Sequence, residues 1–315
     1  MKKLNLKMNI AKYYKGYYMM TARCNLSCSY CVLENTPNQL KQELSLFQKM
    51  ELIAHLYHKF GFRSLTLSGG ETLIIGKNIP TDFILLLKFL KQFKSVNKED
   101  NLQLQLYTNG IKLNEEVAKA MVGIIDEVSI TIDSEDKETL KLIGRNKTDK
   151  DDYFLNALFV CKLLSDRGIK IKLHTVISSL NSDNIVNSSK IIFDSLQKKH
   201  TNINSWKFYQ YMSYDVFSVD EKHKISKDVF ETIKSGISEK LKEYSIKIHF
   251  KDNIEMNESL FNILAYGNAQ YLMPGDTWSE SKRTDILLNY ESIKDMFDKN
   301  NISKALFDKY HSFKP

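Results

Sequence analysis

Cys24, Cys28 and Cys31 sit in the run Arg23-Cys24-Asn25-Leu26-Ser27-Cys28-Ser29-Tyr30-Cys31, a CxxxCxxC spacing. Thiolates so spaced can hold a 4Fe-4S cluster by three corners and leave its fourth iron without a protein donor. An iron left open in this way is a place where a small molecule can coordinate. Other readings of the thiols are weaker. Structural zinc takes four ligands, usually as two close pairs, and no second Cys or His pair lies nearby. A disulfide framework belongs to short secreted chains with an even set of cysteines. This chain has 315 residues and four cysteines. The fourth, Cys161, falls where apolar residues recur at helical spacing, which predicts a core thiol.

The elements that must position these thiols alternate between short β-branched or aromatic runs and longer amphipathic stretches, the pattern of βα units around a parallel sheet. Strands are predicted over residues 17–21, 64–67, 103–107, 127–132, 170–177 and 206–211. Helices are predicted over 42–60, 82–93, 115–124, 152–166 and 183–196. Six strands and five intervening helices suit an α/β fold, a partial (β/α)6 barrel. Without a Gly/Ser linker or internal repeat, residues 1–215 form its core and 216–315 a C-terminal α+β extension expected to cover the substrate site.

Hydrophobic residues at 43% and charged residues at 26% are the balance of a globular chain. No apolar run approaches 18 residues, and the first ten residues are interrupted by polar ones too often for a secretory core, so a cytoplasmic protein without membrane contact is expected. Basic residues number 45 against 38 acidic and are spread along the chain. Such a balance fits an anionic substrate or a solvated surface, and no nucleic-acid partner is expected.

In a (β/α) barrel the working residues converge at the C-terminal ends of the strands. The cysteine run follows the first strand, and Ser68-Gly69-Gly70-Glu71 follows the second. Thr108-Asn109-Gly110 ends the third, and Thr131-Ile132-Asp133-Ser134 the fourth. By themselves these admit plainer readings: Gly-Gly and Asn-Gly are common turn pairs, and Asp133 could cap the helix after it. In this order and spacing, however, they resemble the radical S-adenosylmethionine enzymes. That resemblance implies that S-adenosylmethionine chelates the open iron and that one electron cleaves it to a 5′-deoxyadenosyl radical. It also implies contacts to the cofactor from Ser68, Gly69, Gly70, Glu71, Asn109, Thr131 and Ser134.

Four further segments are similar to viperin and its prokaryotic relatives. They are Ile132 to Glu138 followed by Leu142-Ile143-Gly144-Arg145; Lys172-Leu173-His174-Thr175-Val176-Ile177 with Leu180-Asn181; Trp206-Lys207-Phe208-Tyr209-Gln210; and Ile293-Lys294-Asp295-Met296-Phe297-Asp298. The resemblance implies a nucleoside triphosphate substrate (CTP, UTP or GTP) with Arg145, Lys172 and Lys207 on its phosphates. Arg offers a planar fork and Lys a point charge for that task. It further implies conversion to the 3′-deoxy-3′,4′-didehydro analogue, a chain terminator used in antiviral defence. An external one-electron reductant of flavodoxin or ferredoxin type and a monomeric enzyme complete that expectation. Lys172 could instead project outward, since it lies in an alternating Lys-Ile-Lys-Leu pattern.

The chain departs from that family at Val32, where phenylalanine is usual after the third cysteine, and at Thr72, which replaces the proline of GGEP. Ser259-Leu260 stands where viperins carry a serine-tyrosine pair whose tyrosine has been proposed as a hydrogen relay; Tyr266 or Tyr271 could substitute. No residue is assigned a catalytic role. Residues 274–278 read as a surface turn that could also cover the site. His55, His58 and His174 read as structural. Two other functions remain open: a radical enzyme acting on a peptide or non-nucleotide metabolite, and a non-catalytic cluster protein serving electron transfer or redox sensing.

Overall fold

The computed structural model describes residues 13–33 and 42–313. The N-terminal stretch read above against a secretory core lies outside the described residues.

Six parallel strands run in chain order: β1 (Tyr13–Thr21), β2 (Phe62–Gly69), β3 (Gln103–Thr108), β4 (Glu127–Thr131), β5 (Lys170–Ile177) and β6 (Ser205–Gln210). They match the predicted strands to within a few residues. The crossover helices are α1 (Leu46–His58), α2 (Thr81–Leu90), α3 (Glu115–Met121), α4 (Lys137–Ile143), α5 (Tyr153–Ser165) and α6 (Ile185–Lys198). α4 is not among the five predicted ranges and is the helix that, on the sequence alone, Asp133 could cap. Its cap is Asp136, whose carboxylate accepts from Thr139 N at 2.7 Å, and Gly144 ends it in the left-handed region. Asp133, the residue expected as a possible cap, is instead buried and paired elsewhere.

The remaining chain continues the same sheet. After α7 (Phe217–His223) and α8 (Lys227–Lys240), β7 (Lys247–Lys251) pairs parallel with β6. After α9 (Asn253–Glu258), β8 (Phe261–Ile263) pairs parallel with β1, and β9 (Asn268–Tyr271) and β10 (Lys282–Ile286) follow antiparallel. α10 (Ile293–Asn300), α11 (Lys304–His311) and β11 (Ser312–Phe313) close the described chain, with β11 against the start of β1. The sheet order is β10-β9-β8-β1-β2-β3-β4-β5-β6-β7, open at both ends. Among the described residues no helix is long and apolar enough to cross a membrane.

Parallel strands buried on both faces are normally apolar throughout, but here period-2 alternation survives. One face carries Tyr18, Met20, Leu65, Leu67, Leu104, Leu106, Ile171, Leu173, Trp206 and Phe208, all buried in the core. The other carries Lys15, Tyr17, Thr66, Gln105, Tyr107, Thr131, Lys172, His174, Lys207 and Tyr209, all lining one cavity. Dry packing between sheet and helices therefore carries the fold, and the other face is left polar around the cavity. Cys161 on α5 is wholly buried, and burial pushes its thiol up to about 12.

Candidate active site

The cysteine loop leaves the end of β1 and is pinned on both sides. Gly70 N–H donates to Thr21 O and Glu71 N–H to Arg23 O, each at 2.8 Å. A Cβ on Gly69 would stand 2.4 Å from Thr21 O, and one on Gly70 would stand 2.2 Å from Arg23 O. Side chains there would push the end of β2 off the loop, which is why the pair must be glycine. On the opposite side Ser29 N–H donates to Ile143 O at 2.8 Å. Gly144, with φ of 90°, packs where a Cβ would lie 2.3 Å from Ser27 O.

The thiols suit a cluster rather than a single ion. Cys24 is exposed, and Cys28 and Cys31 are half-buried. Burial raises the Cys24 thiol and pushes Cys28 up to about 12; Cys31 lies close enough to raise both further, and Cys24 to raise Cys28. Among the described residues no three Cys, His, Asp or Glu side chains converge on one metal ion. A cubane, in which each thiolate takes its own iron, needs no such convergence. Leu26 N–H reaches Cys24 Sγ at 3.4 Å and Asn109 Nδ2 lies 3.8 Å from it. Hydrogen bonds of this kind to a ligating sulfur favour the thiolate and tune a cluster's potential.

Glu71 organises the strand ends behind the loop. It is fully buried, and burial raises its carboxyl. Oε1 accepts from Leu73 N at 2.9 Å and Thr108 Oγ1 at 2.7 Å, and Oε2 from Asn109 N at 2.7 Å. Both oxygens are thus engaged within the protein. Asn109, oriented by this bond, donates through Nδ2 to Asn25 Oδ1 at 2.9 Å.

Beyond the loop lies a cavity of about 1000 Å³, at the upper end of ligand sites. Six lysines and arginines line it (Lys15, Arg145, Lys172, Lys207, Lys251 and Arg283) against one carboxylate, Glu255. Lys172 faces inward and pairs with Glu127 at 3.1 Å. Lys251 Nζ donates to Ser259 Oγ at 2.6 Å. The Lys207 ammonium lies 5.0 Å from the centre of the Tyr209 ring. Burial first, then the Lys251 and Lys172 charges, push it down to about 8. His174 sits edge-on between Tyr107 and Tyr209, with ring centres 4.5 and 5.2 Å away. Burial, then Lys172 and Lys207, hold its imidazole well below the usual range, hence neutral.

Residues 18–187 match the model of the radical SAM superfamily. The chain belongs to that superfamily. Its members use a 4Fe-4S cluster and S-adenosylmethionine, and the three thiols described above are the donors that fit the cluster. Among curated proteins, the chain is 27% identical over 213 residues to a GTP 3′,8-cyclase of Staphylococcus carnosus, covering 62% of this chain and 57% of that enzyme. It is 28% identical over 172 residues to an S-adenosylmethionine-dependent nucleotide dehydratase of Lacinutrix mariniflava, covering 51% of this chain and 33% of the relative. The chain thus spans about half, or less, of the length of these curated relatives. The solved structure of native anSMEcpe with bound AdoMet and Kp18Cys peptide superposes with a TM-score of 0.64 at 14% identity, covering 93% and 83% of the two chains. That likeness concerns the fold.

In this radical SAM barrel the residues singled out from the sequence divide into two groups. Cys31, Gly69, Thr131, Arg145, Lys172 and Lys207 share the cavity. Ser68, Glu71, Asn109 and Ser134 are buried, and Gly70 is pressed against Arg23. The Ser68 hydroxyl meets that of Tyr17, and Ser134 Oγ accepts from Asp136 N at 3.0 Å. Lys15 and Lys251 were not found from sequence, because single lysines at a strand's start or end look like surface residues. Leu260, Tyr266 and Trp278 all line the cavity. The turn containing Trp278 therefore reaches the site, where its ring lies 5.4 Å from that of Tyr214. Tyr271 is elsewhere, its hydroxyl donating to Asn300 O at 3.0 Å.

Proposed function

We propose that this radical SAM enzyme acts on a ribonucleoside triphosphate and converts it to the 3′-deoxy-3′,4′-didehydro analogue, a chain terminator for antiviral defence. The observation that carries the reading is the cavity's charge: with Arg145 paired to Asp133 and Lys172 to Glu127, the cations Lys15, Lys207, Lys251 and Arg283 remain on its wall against one carboxylate, Glu255. Half-buried cations such as Lys207 and Lys251 are costly in such company unless an anion compensates them. A triphosphate supplies several negative charges in a compact group. The relatives named for GTP and for nucleotides support the same substrate class.

Bound cluster and S-adenosylmethionine supply homolytic chemistry able to take a hydrogen atom from C4′ of the ribose. The nucleotide then loses its 3′ hydroxyl as water and gains one electron and one proton, the electron coming from an external carrier of flavodoxin or ferredoxin type. The protein's part is to hold the phosphates on Lys15, Lys172, Lys207 and Lys251 and to turn the ribose toward the cysteine loop. His174, neutral and wedged between two tyrosine rings, stiffens the wall between these regions. Tyr266, which lines the cavity with its hydroxyl buried and without a hydrogen-bond partner, supports a relay role there that Leu260 cannot take.

The likeness to GTP 3′,8-cyclases favours a second reading, internal cyclisation of the nucleotide. Anaerobic protein reconstituted with iron and sulfide, then given S-adenosylmethionine, dithionite and each ribonucleoside triphosphate in turn, separates the two. A product lighter by one water supports dehydration; an isomer of the substrate supports cyclisation. Formation of 5′-deoxyadenosine that no triphosphate stimulates would refute both.

A further inference from the structure

Arg145 was expected on the substrate phosphates, yet each of its side-chain nitrogens already has a partner on the protein. Nε donates to Asp133 Oδ2 at 2.6 Å, Nη2 to the Tyr30 hydroxyl at 2.6 Å and Nη1 to the Tyr153 hydroxyl at 3.3 Å. The Tyr30 hydroxyl in turn donates to the same Asp133 oxygen at 2.7 Å. Asp133 Oδ1 accepts from Val176 N on β5 at 2.9 Å, and the Tyr153 hydroxyl donates to Thr131 O on β4 at 2.7 Å. Arg145, Asp133 and Tyr30 are all buried.

Tyr30 lies between Cys28 and Cys31. The network therefore ties the turn carrying two of the three thiols to the ends of two barrel strands, through charge-assisted bonds that are short and directional. The backbone of the same turn is otherwise anchored at Ser29 to the end of α4, immediately before Gly144 and Arg145. Arg145 thus closes a loop of contacts around Cys28, whose thiol also feels the guanidinium charge more strongly than that of Asp133.

We propose that Arg145, with Asp133 and Tyr30, is a positioning residue for the iron–sulfur cluster, fixing the Cys28-to-Cys31 turn before the cluster is inserted. The inference rests on the superfamily assignment and is independent of the nucleotide reading. A preformed turn matters because a cluster-binding loop that must be ordered during assembly loses affinity by the entropy of ordering.

The test uses Tyr30→Phe, which removes only the hydroxyl, and Arg145→Lys, which keeps the charge and loses the fork. Hydrogen exchange is measured on the cluster-free chain, with iron content and the EPR spectrum of the reduced cluster after anaerobic reconstitution. CTP affinity is measured on the reconstituted protein. The expected result is at least tenfold faster exchange in residues 26–32 in both variants, with exchange in β5 and α5 unchanged. Iron occupancy should fall and the EPR line shape should change, while CTP affinity in Tyr30→Phe stays within twofold of the parent. Unchanged loop exchange in both variants would overturn the proposal. So would a tenfold loss of CTP affinity in Arg145→Lys with the loop still protected, which would return Arg145 to the phosphates.

Discussion

Raising the pH from 7 to 9 should weaken nucleoside triphosphate binding through one residue, Lys207. Its ammonium is pushed down to about 8 in the ligand-free protein, by burial and then by the neighbouring lysines. If only the charged form engages phosphate, about nine-tenths of the protein is competent at pH 7 and about one-tenth at pH 9. The bound anion returns the group toward its ordinary range, so the whole difference appears as affinity, about tenfold or ~1.4 kcal/mol. The nucleotide's terminal phosphate gains charge over the same interval and works in the opposite direction, so the reference is Lys207→Met titrated identically. Calorimetric titration of anaerobic, reconstituted enzyme with CTP and no reductant gives both curves. The ratio of parent to variant affinity should fall about tenfold between pH 7 and 9. Parallel curves, or a ratio that rises, would refute the assignment of Lys207 to the phosphates.

The same residue should act oppositely on stability. Because its folded pKa lies below the unfolded value of 10.5, the unfolded state binds more protons between about pH 8 and 10.5, and removing the charge stabilises the fold below that window. Lys207→Met should therefore raise the ligand-free melting temperature at pH 7 by a few degrees, about 1 kcal/mol, and abolish most of the further rise that CTP gives the parent. A lower melting temperature in the variant would contradict it. Gly144→Ala should cost about 1–3 kcal/mol, since it combines a φ of 90° with a contact of 2.3 Å to Ser27 O; reconstituted iron content should drop with it. Glu71→Gln should cost about 2 kcal/mol in urea unfolding, because an amide cannot accept the three donors that meet the carboxylate, and full stability in that variant would show the carboxylate to be dispensable.

Much of the architecture was readable because barrel strands must be β-branched or aromatic and helices must present an apolar stripe. The cysteine spacing was readable because thiolates at that spacing suit a cluster and few other side chains could replace them. The glycines were found for an incomplete reason. Gly69 and Gly70 were expected as a turn pair or as cofactor contacts, and the structure shows them clearing space for the backbone of the cysteine loop. That contact joins residues nearly 50 positions apart, so no local pattern announces it. α4 entered the reading only as the helix that Asp133 could cap; its cap is Asp136, three residues further on, and Asp133 is turned inward to Arg145. The extra strands beside β1 and β6 escaped because they are short, and two of the junctions are antiparallel.

Two sets of buried charge in this molecule follow opposite logic, and the contrast argues for where ligands belong. Asp133 and Arg145 compensate each other at 2.6 Å, and two tyrosine hydroxyls and a backbone N–H take up further donors and acceptors. Removing one partner would strand the other, but nothing in the set calls for an outside molecule. The lysines of the cavity are different. Lys172 has Glu127, and Lys251 donates to a hydroxyl with the Glu255 and Asp252 charges nearby. Burial first, and then the neighbouring lysines, depress the Lys207 ammonium and keep His174 uncharged. A fold selected for stability alone would have replaced such residues with apolar ones, as the opposite face of the same strands did. The uncompensated set is therefore the one that fits the proposed polyanion, and the compensated set the one that fits the proposed anchoring of the cysteine loop.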